Sequence, residues 1–390
     1  MTTVAQVKDD MDGKFTRRAV LTIVLIVGLL GLHQVSRYFR HPNAATYRLH
    51  QLISDMSSND VGRDDLNALV AGYYEGILRT GNAAIGLPGG RIEDVRFRND
   101  FLRFELKPNL NEQYKAGIRF TNSMGMANPE YSYQKPPHTW RIAILGDSVS
   151  LGPYGHDYVK ALEDRLNHNC TSPDIQNYQV LNFSVYAYSA LQNMDVGLNK
   201  ASYFHPDVDV VALTSLEFFP GTGSVMHVAT LLSSGTDLKY DYLRQVVAQA
   251  GIQPGSHLPT IRKKLAPYKT QLIRWALIQI RDHAAAHGAK TIVILVPAPI
   301  SSSFTIEHFN QLRDAAGPVG IPIIDLRDTF RSVNLEDFQV DPGKDFHPNL
   351  LGHTMIADSL FAKLQAQPDA SLAMAGHPCQ LDSPPAAAEK

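Results

Sequence analysis

From Arg141 onward the sequence alternates short apolar runs with longer amphipathic stretches, and this alternation limits the fold more than any other feature of the chain. The candidate strands are residues 142–145, "YQVLNFSV" ending near Val185, "VDVVALTS" from Val208, "KTIVILVPAP" from Lys290 and "IPIIDL" from Ile321. Helical spacing falls between them, over 157–167, 189–202, 260–287, 306–316 and 350–365. Strands that are apolar at successive positions are buried on both faces, and strands separated by helices run parallel. A three-layer, flavodoxin-like α/β domain over 138–367 is therefore expected. A chain of 390 residues that is 44% hydrophobic is long enough to fill such a core.

The segments outside this domain have different patterns. Residues 19–32, "AVLTIVLIVGLLGL", carry no charge and follow Lys14, Arg17 and Arg18. Extended to Ser36, the run approaches the length of a membrane-spanning helix, and the flanking arginines can snorkel. "LHQVSRYFRH" offers no small-x-small cleavage site, which favours an uncleaved signal anchor over a removed signal peptide. Lys8, Lys14, Arg17 and Arg18 outnumber Arg37 and Arg40 across it, which favours an N-terminus in the cytoplasm. The expected order is a cytoplasmic segment 1–18, an anchor 19–36 in the cell membrane and an extracytoplasmic remainder, periplasmic in a Gram-negative cell. Residues 37–137 form an accessory region, helical at first and then, in "IEDVRFRNDFLRFEL", two short strands or a hairpin. Residues 368–390 read as a loose extension unless Cys379 pins them. Cys170 and Cys379 are too few for a disulfide scaffold or a zinc site; they bridge in an oxidising compartment or are two unrelated thiols.

A formal net charge of −2 gives no basic excess, and nucleic acid is excluded as a partner. In open parallel sheets ligands bind beyond the C-terminal ends of the strands. Ser148 falls there, after the first core strand in "RIAILGDSVSLGPYG". "DPGKDFHPNLLGH" places Asp345 and His347 just before the last helix of the domain. Ser148, Asp345 and His347 can serve as nucleophile, orienting acid and base. Residues two apart in an extended segment point the same way, so the Asp345 carboxylate can reach the imidazole. Asp341 is the fallback acid, and a Ser–His dyad held by a backbone carbonyl is a third arrangement. Lys344 cannot serve, because it accepts no proton from Nδ1. His353 with His347 makes no metal pair, since six residues separate them and no third ligand follows. Tyr154 and His156 either line a substrate pocket or face solvent. "LEFFPGTGS", residues 216–224, reads as an acceptor-binding loop or as a packed one.

"ILGDS" after the first strand, with "DFHPN" before the last helix, resembles the SGNH, or GDSL, hydrolase superfamily. "VLNFSVYAYSALQ" is similar to that family's second block and "PDVDVVALTSLE" to its third, and the resemblance spans about 118–365. It implies Ser148 as nucleophile, His347 as base, and the amides of Ser148 and Ala187 as oxyanion donors. Two positions depart from the family pattern. The second-block glycine is Ala187, and the third-block asparagine is Leu216, which has nothing to donate; the hydroxyls of Thr214 or Ser215 are the expected substitutes. The acid also stands two residues before the histidine instead of three. Upstream, "RFTNSMGMANPEYSYQKPPHTWRIAILGDS" resembles membrane-tethered members that accompany membrane-bound O-acyltransferases in polysaccharide modification. The resemblance implies an esterase or O-acetyltransferase on a carbohydrate polymer, with an acyl-serine intermediate and no cofactor or metal. The alternative is a degenerate domain that binds polysaccharide or scaffolds the acyltransferase.

Overall fold

The computed structural model describes residues 94–114, 117–219, 221–300 and 303–377. The expected anchor over 19–36 and the helical part of the accessory region lie outside them. Among the described residues no helix is long and apolar enough to cross a membrane.

In chain order the strands are β1 (Val95–Phe97), β2 (Phe104–Leu106), β3 (Asn111–Tyr114), β4 (Gly117–Phe120), β5 (Thr139–Leu145), β6 (Asn177–Asn182), β7 (Val208–Leu213), β8 (Lys290–Leu295), β9 (Ile323–Asp325), β10 (Gln339–Asp341) and β11 (Asp345–Pro348). The helices are α1 (Ser148–Leu151), α2 (Tyr158–Asn169), α3 (Ala190–Asn199), α4 (Gly223–Ser234), α5 (Asp241–Gln249), α6 (Leu258–Leu265), α7 (Lys269–Ala286), α8 (Ser303–Ala316), α9 (Leu350–Ala366) and α10 (Pro368–Ala375).

Five strands form one parallel sheet in the order β6-β5-β7-β8-β9. This is the doubly wound, flavodoxin-like order expected from the alternation. Each central strand divides its side chains between two cores with a period of two. Ala143, Leu145, Val211, Leu213, Val293 and Leu295 enter one core, against α3, α4, α7 and α8. Ile142, Ile144, Val208, Val210, Ile292 and Ile294 enter the other, against α2, α9 and α10. Burial on both faces explains why these strands read as continuous apolar runs.

The accessory region supplies two antiparallel hairpins, β1–β2 and β3–β4. Val95, Phe104 and Leu106 of the first hairpin join the α3-side core. Fully buried Arg141 fastens the linker to the sheet: its guanidinium donates to the carbonyls of Ser132, Tyr133 and Phe204 and to Gln179 Oε1.

Several elements differ from the expectation. The single helix expected over 260–287 is two, α6 and α7, separated by a 3₁₀ turn over Ala266–Tyr268. Pro267 in that turn has no N–H to continue the ladder. Helices α4 and α5 occupy a stretch with no assigned element. The expected loose extension begins as α10, whose Ala370, Ala373, Met374 and Ala375 are buried. Trp140 Nε1 donates to Met374 O at 2.9 Å, and the Tyr178 hydroxyl lies 2.9 Å from Ala375 O. Cys170 is disulfide-bonded. The sequence holds one other cysteine, Cys379, which lies outside the described residues.

One buried group gives a pH-dependent prediction. Asp209 in β7 is 4% exposed, and burial pushes its carboxyl up to about 7. The folded chain therefore holds a proton between the ordinary carboxylate range and pH 7 that the unfolded chain has released. The stability associated with that proton is lost as pH rises through 7. Asp209→Asn is expected to stabilise the protein at pH 8 by roughly 3 kcal/mol relative to its effect at pH 4. Urea titrations at the two pH values test this, and an equal effect at both would contradict it.

Candidate active site

The site forms where the sheet order reverses, beyond the C-terminal ends of β5 and β7. After Leu145 the chain turns through Gly146 and Asp147 into α1, which begins at Ser148. A Cβ on Gly146 would lie 2.7 Å from Ser150 Oγ and 2.9 Å from Ser184 Oγ, so only glycine lets this turn sit against the loop after β6. Asp147 caps α1 by accepting Val149 N at 2.9 Å. It also accepts the Thr214 hydroxyl, which joins the end of β5 to the end of β7. Burial raises the Asp147 carboxyl above its usual range. Ser148 itself is 6% exposed at the N-terminus of the turn.

β10 and β11 form a hairpin in which Asp341 faces Asp345, and β11 packs against α1. Asp345 Oδ1 lies 2.6 Å from His347 Nδ1 and accepts the His347 amide at 3.1 Å. The carboxylate side chain is 33% exposed and the imidazole 14%. This is the hydrogen bond expected from the two-residue spacing, and it leaves Nε2 as the other ring nitrogen. The Asp341 carbonyl accepts Lys344 N at 2.9 Å in the hairpin turn. Asn349, next along, caps α9 by accepting Gly352 N at 3.0 Å. Its part in the His-Pro-Asn block is thus to start the helix that follows the imidazole.

The loop after β6 lies beside this turn. Asn182 Nδ2 donates to Ser150 O at 2.8 Å, and Asn182 Oδ1 accepts Ser184 N. Ala187 has φ of 54°, the left-handed conformation that glycine adopts freely. For alanine this costs about 1–2 kcal/mol. Among the described residues, no hydrogen-bond acceptor takes the amide of Ala187 or of Ser148. Both remain available to a negatively charged oxygen.

The remaining candidates are placed as follows. Leu216 is buried, and its amide approaches Thr214 Oγ1 at 3.3 Å. The single Thr214 proton goes to Asp147, which removes Thr214 as a donor to an oxyanion while that bond holds. Ser215 is buried, and its carbonyl lies 3.1 Å from His308 Nδ1. Tyr154 packs against Phe120, with the rings tilted by 35° and their centroids 4.4 Å apart, and lines a cavity with Asn128, Asp157, Lys160 and Glu163. His156 is exposed. His353 is 1% exposed beside Tyr158, and burial holds it neutral with its pKa lowered to about 3. Among the described residues no group of three or more His, Cys, Asp and Glu could hold a metal ion.

Sequence reasoning missed three residues here. Glu217, in the 216–224 loop, accepts Ala190 N at 2.9 Å and Ser224 N at 2.6 Å, bridging the first turns of α3 and α4. Burial pushes its carboxyl up to about 7. A Cβ on Gly223 would lie 1.8 Å from Glu217 O, which fixes glycine at that bend. Arg119 and Tyr186, both buried, join the accessory hairpins to the loops around Ser148 and Ala187. A pocket beside Ala187 is walled by Arg103, Gln192, Thr222, Gly223 and His227.

No family model matches the sequence. No curated protein matches it. Among solved structures the chain is similar to an alpha/beta hydrolase from the metagenome of Lake Arreo, Spain, at 14% identity over 57% of this chain and 94% of that one, with a TM-score of 0.37. It is similar to a catalytic mutant of an acetylxylan esterase from Geobacillus stearothermophilus, at 12% identity over 57% and 93%, with a TM-score of 0.39. It is also similar to a psychrotrophic esterase from Pseudoalteromonas sp., at 13% identity over 59% and 98%, with a TM-score of 0.36.

Proposed function

We propose that the chain is a serine esterase or O-acyltransferase working through an acyl-serine. The observation that carries this reading is the 2.6 Å contact between Asp345 and His347 Nδ1, on a strand packed against the turn that begins at Ser148. Held this way, the imidazole presents Nε2 as a base. Ser148 Oγ attacks the acyl carbonyl while its proton passes to His347 Nε2, and Asp345 stabilises the imidazolium. The carbonyl oxygen becomes an oxyanion facing the Ser148 and Ala187 amides. Collapse expels the alcohol, which takes the proton from His347. Water or a sugar hydroxyl then attacks the acyl-serine by the same steps in reverse. The groups supplied by the chain suffice for this chemistry.

In this reading the acyl acceptor or donor is a carbohydrate polymer, and the acyl group is acetyl. The domain sits outside the cytoplasm on the 19–36 anchor, beside a membrane-bound O-acyltransferase. The disulfide at Cys170 supports an oxidising compartment. The pocket beside Ala187, walled in part by the 216–224 loop, supports that loop as the acceptor side.

The test uses the full chain with a chromogenic acetyl ester and a fluorophosphonate probe. Acetate release and labelling at Ser148 are expected, and added acetyl-acceptor oligosaccharide is expected to divert acetyl from water. A folded protein that neither releases acetate nor labels removes the catalytic reading and leaves the degenerate, polysaccharide-binding one.

A further inference from the structure

The left-handed backbone at Ala187 is flanked by two tyrosines that the accessory hairpins hold. On one side, the Tyr186 hydroxyl accepts Arg119 Nε at 2.9 Å and donates to Asp94 Oδ2 at 3.0 Å. On the other, the Tyr188 hydroxyl donates to Phe104 O at 2.6 Å. Arg119, on β4, is 4% exposed, and Tyr186 and Tyr188 are each 5% exposed. The Arg119 guanidinium lies over the Tyr114 and Tyr186 rings, 4.6 and 5.1 Å from their centroids. Nη1 reaches the other loop and donates to Gly152 O at 2.6 Å, at the residue that ends the helical turn begun by Ser148. One buried cation thus contacts both the segment that carries Ser148 and the segment that carries Ala187. A charged group is seldom buried this deeply unless it is paired or hydrogen-bonded.

We propose that Arg119 and Tyr186 are positioning residues, and that the accessory hairpins use them to hold the Ala187 amide in its left-handed setting at a fixed place relative to Ser148. The proposal rests on the acyl-serine reading above. An alanine left to itself prefers the right-handed or extended regions, where its amide would turn away. The family's glycine has no such preference, so the tyrosine and arginine contacts take over what the missing glycine supplied. The accessory layer thereby supports catalysis through Ala187, without touching substrate.

The decisive comparison is between Tyr186→Phe and Tyr186→Phe combined with Ala187→Gly. Removing the hydroxyl leaves the ring packed but releases Arg119 and Asp94. Expected is a fall in kcat, and in the rate of Ser148 labelling by the fluorophosphonate, on the order of 10-fold, with KM changed less than about 2-fold. Glycine at 187 is expected to return both rates to within about 3-fold of the unmodified protein, because it adopts the left-handed setting without help. Tyr178→Phe serves as the structural comparison, since that hydroxyl lies 2.8 Å from Cys170 O and 2.9 Å from Ala375 O in the opposite core. It is expected to lower Tm without lowering kcat. Arg119→Met is expected to exceed Tyr186→Phe in effect, and if it fails to fold the Tyr186 pair still decides. Unchanged kcat in a folded Tyr186→Phe protein, or failure of glycine to restore it, overturns the proposal. Absence of labelling and turnover in the unmodified protein overturns instead the acyl-serine reading beneath it.

Discussion

Ser148→Ala is expected to lower ester turnover on the order of 10⁴-fold or more and to abolish fluorophosphonate labelling. The side chain contributes little to the fold: it is small, it begins the turn, and the cap comes from Asp147. Stability should therefore change by less than about 1 kcal/mol, and a thermal melt run beside the assay separates lost chemistry from lost structure. His347→Ala should lose a similar amount. The double variant should be scarcely worse than either single one, because a nucleophile without its base and a base without its nucleophile are equally idle. Losses that instead multiply would mean that the two side chains act independently, which the acyl-serine mechanism does not allow.

Asp345→Asn is expected to cost on the order of 10³-fold in kcat. An amide in place of the carboxylate can still contact Nδ1, but it carries no charge to stabilise the imidazolium and can hold the ring in the wrong tautomer. The expected loss is set below that of a fully enclosed acid because the Asp345 side chain is 33% exposed, so water partly replaces it. Asp341→Asn should change kcat by less than about 3-fold, since Asp341 pairs with Asp345 across the hairpin and it is Asp345 Oδ1 that lies against Nδ1. Initial rates on one chromogenic ester suffice for the comparison. Equal losses at the two positions would remove the assignment of Asp345 as the acid.

The parts of this molecule that could be read in the sequence are those fixed by local pattern. Ile142, Ala143, Ile144 and Leu145 are apolar without a break because both faces of β5 are covered, and that run marks the central sheet directly. Asp345 and His347 stand two apart in a strand, so their contact follows from strand geometry. Arg119 was hidden for the opposite reason. In "GIRF" it looks like the polar member of an exposed hairpin, yet its partners Gly152 and Tyr186 lie 33 and 67 residues away in sequence. Glu217 was hidden by its loop, because the two amides it accepts belong to helices on either side. At Ala187 the sequence raised the right question about positive φ, but the answer depends on tyrosine contacts reaching 84 and 92 residues back. Helix α10 was hidden similarly: its composition is that of an extension, and its order comes from Trp140 and Tyr178.

The hairpin that carries Asp345 and His347 comes about two hundred residues after Ser148, with four of the five sheet strands between them in chain order. During synthesis the nucleophile therefore emerges early and its partner late. Chains cut short before β11 can bury most of the sheet while lacking any base beside Ser148. On the acyl-serine mechanism proposed above, newly made chains are expected to stay inert toward esters until nearly the whole domain has left the ribosome and folded. On that mechanism the order of the chain works as a timer: reactivity comes when the last hairpin folds, and a fragment that ends before β11 keeps Ser148 without its base.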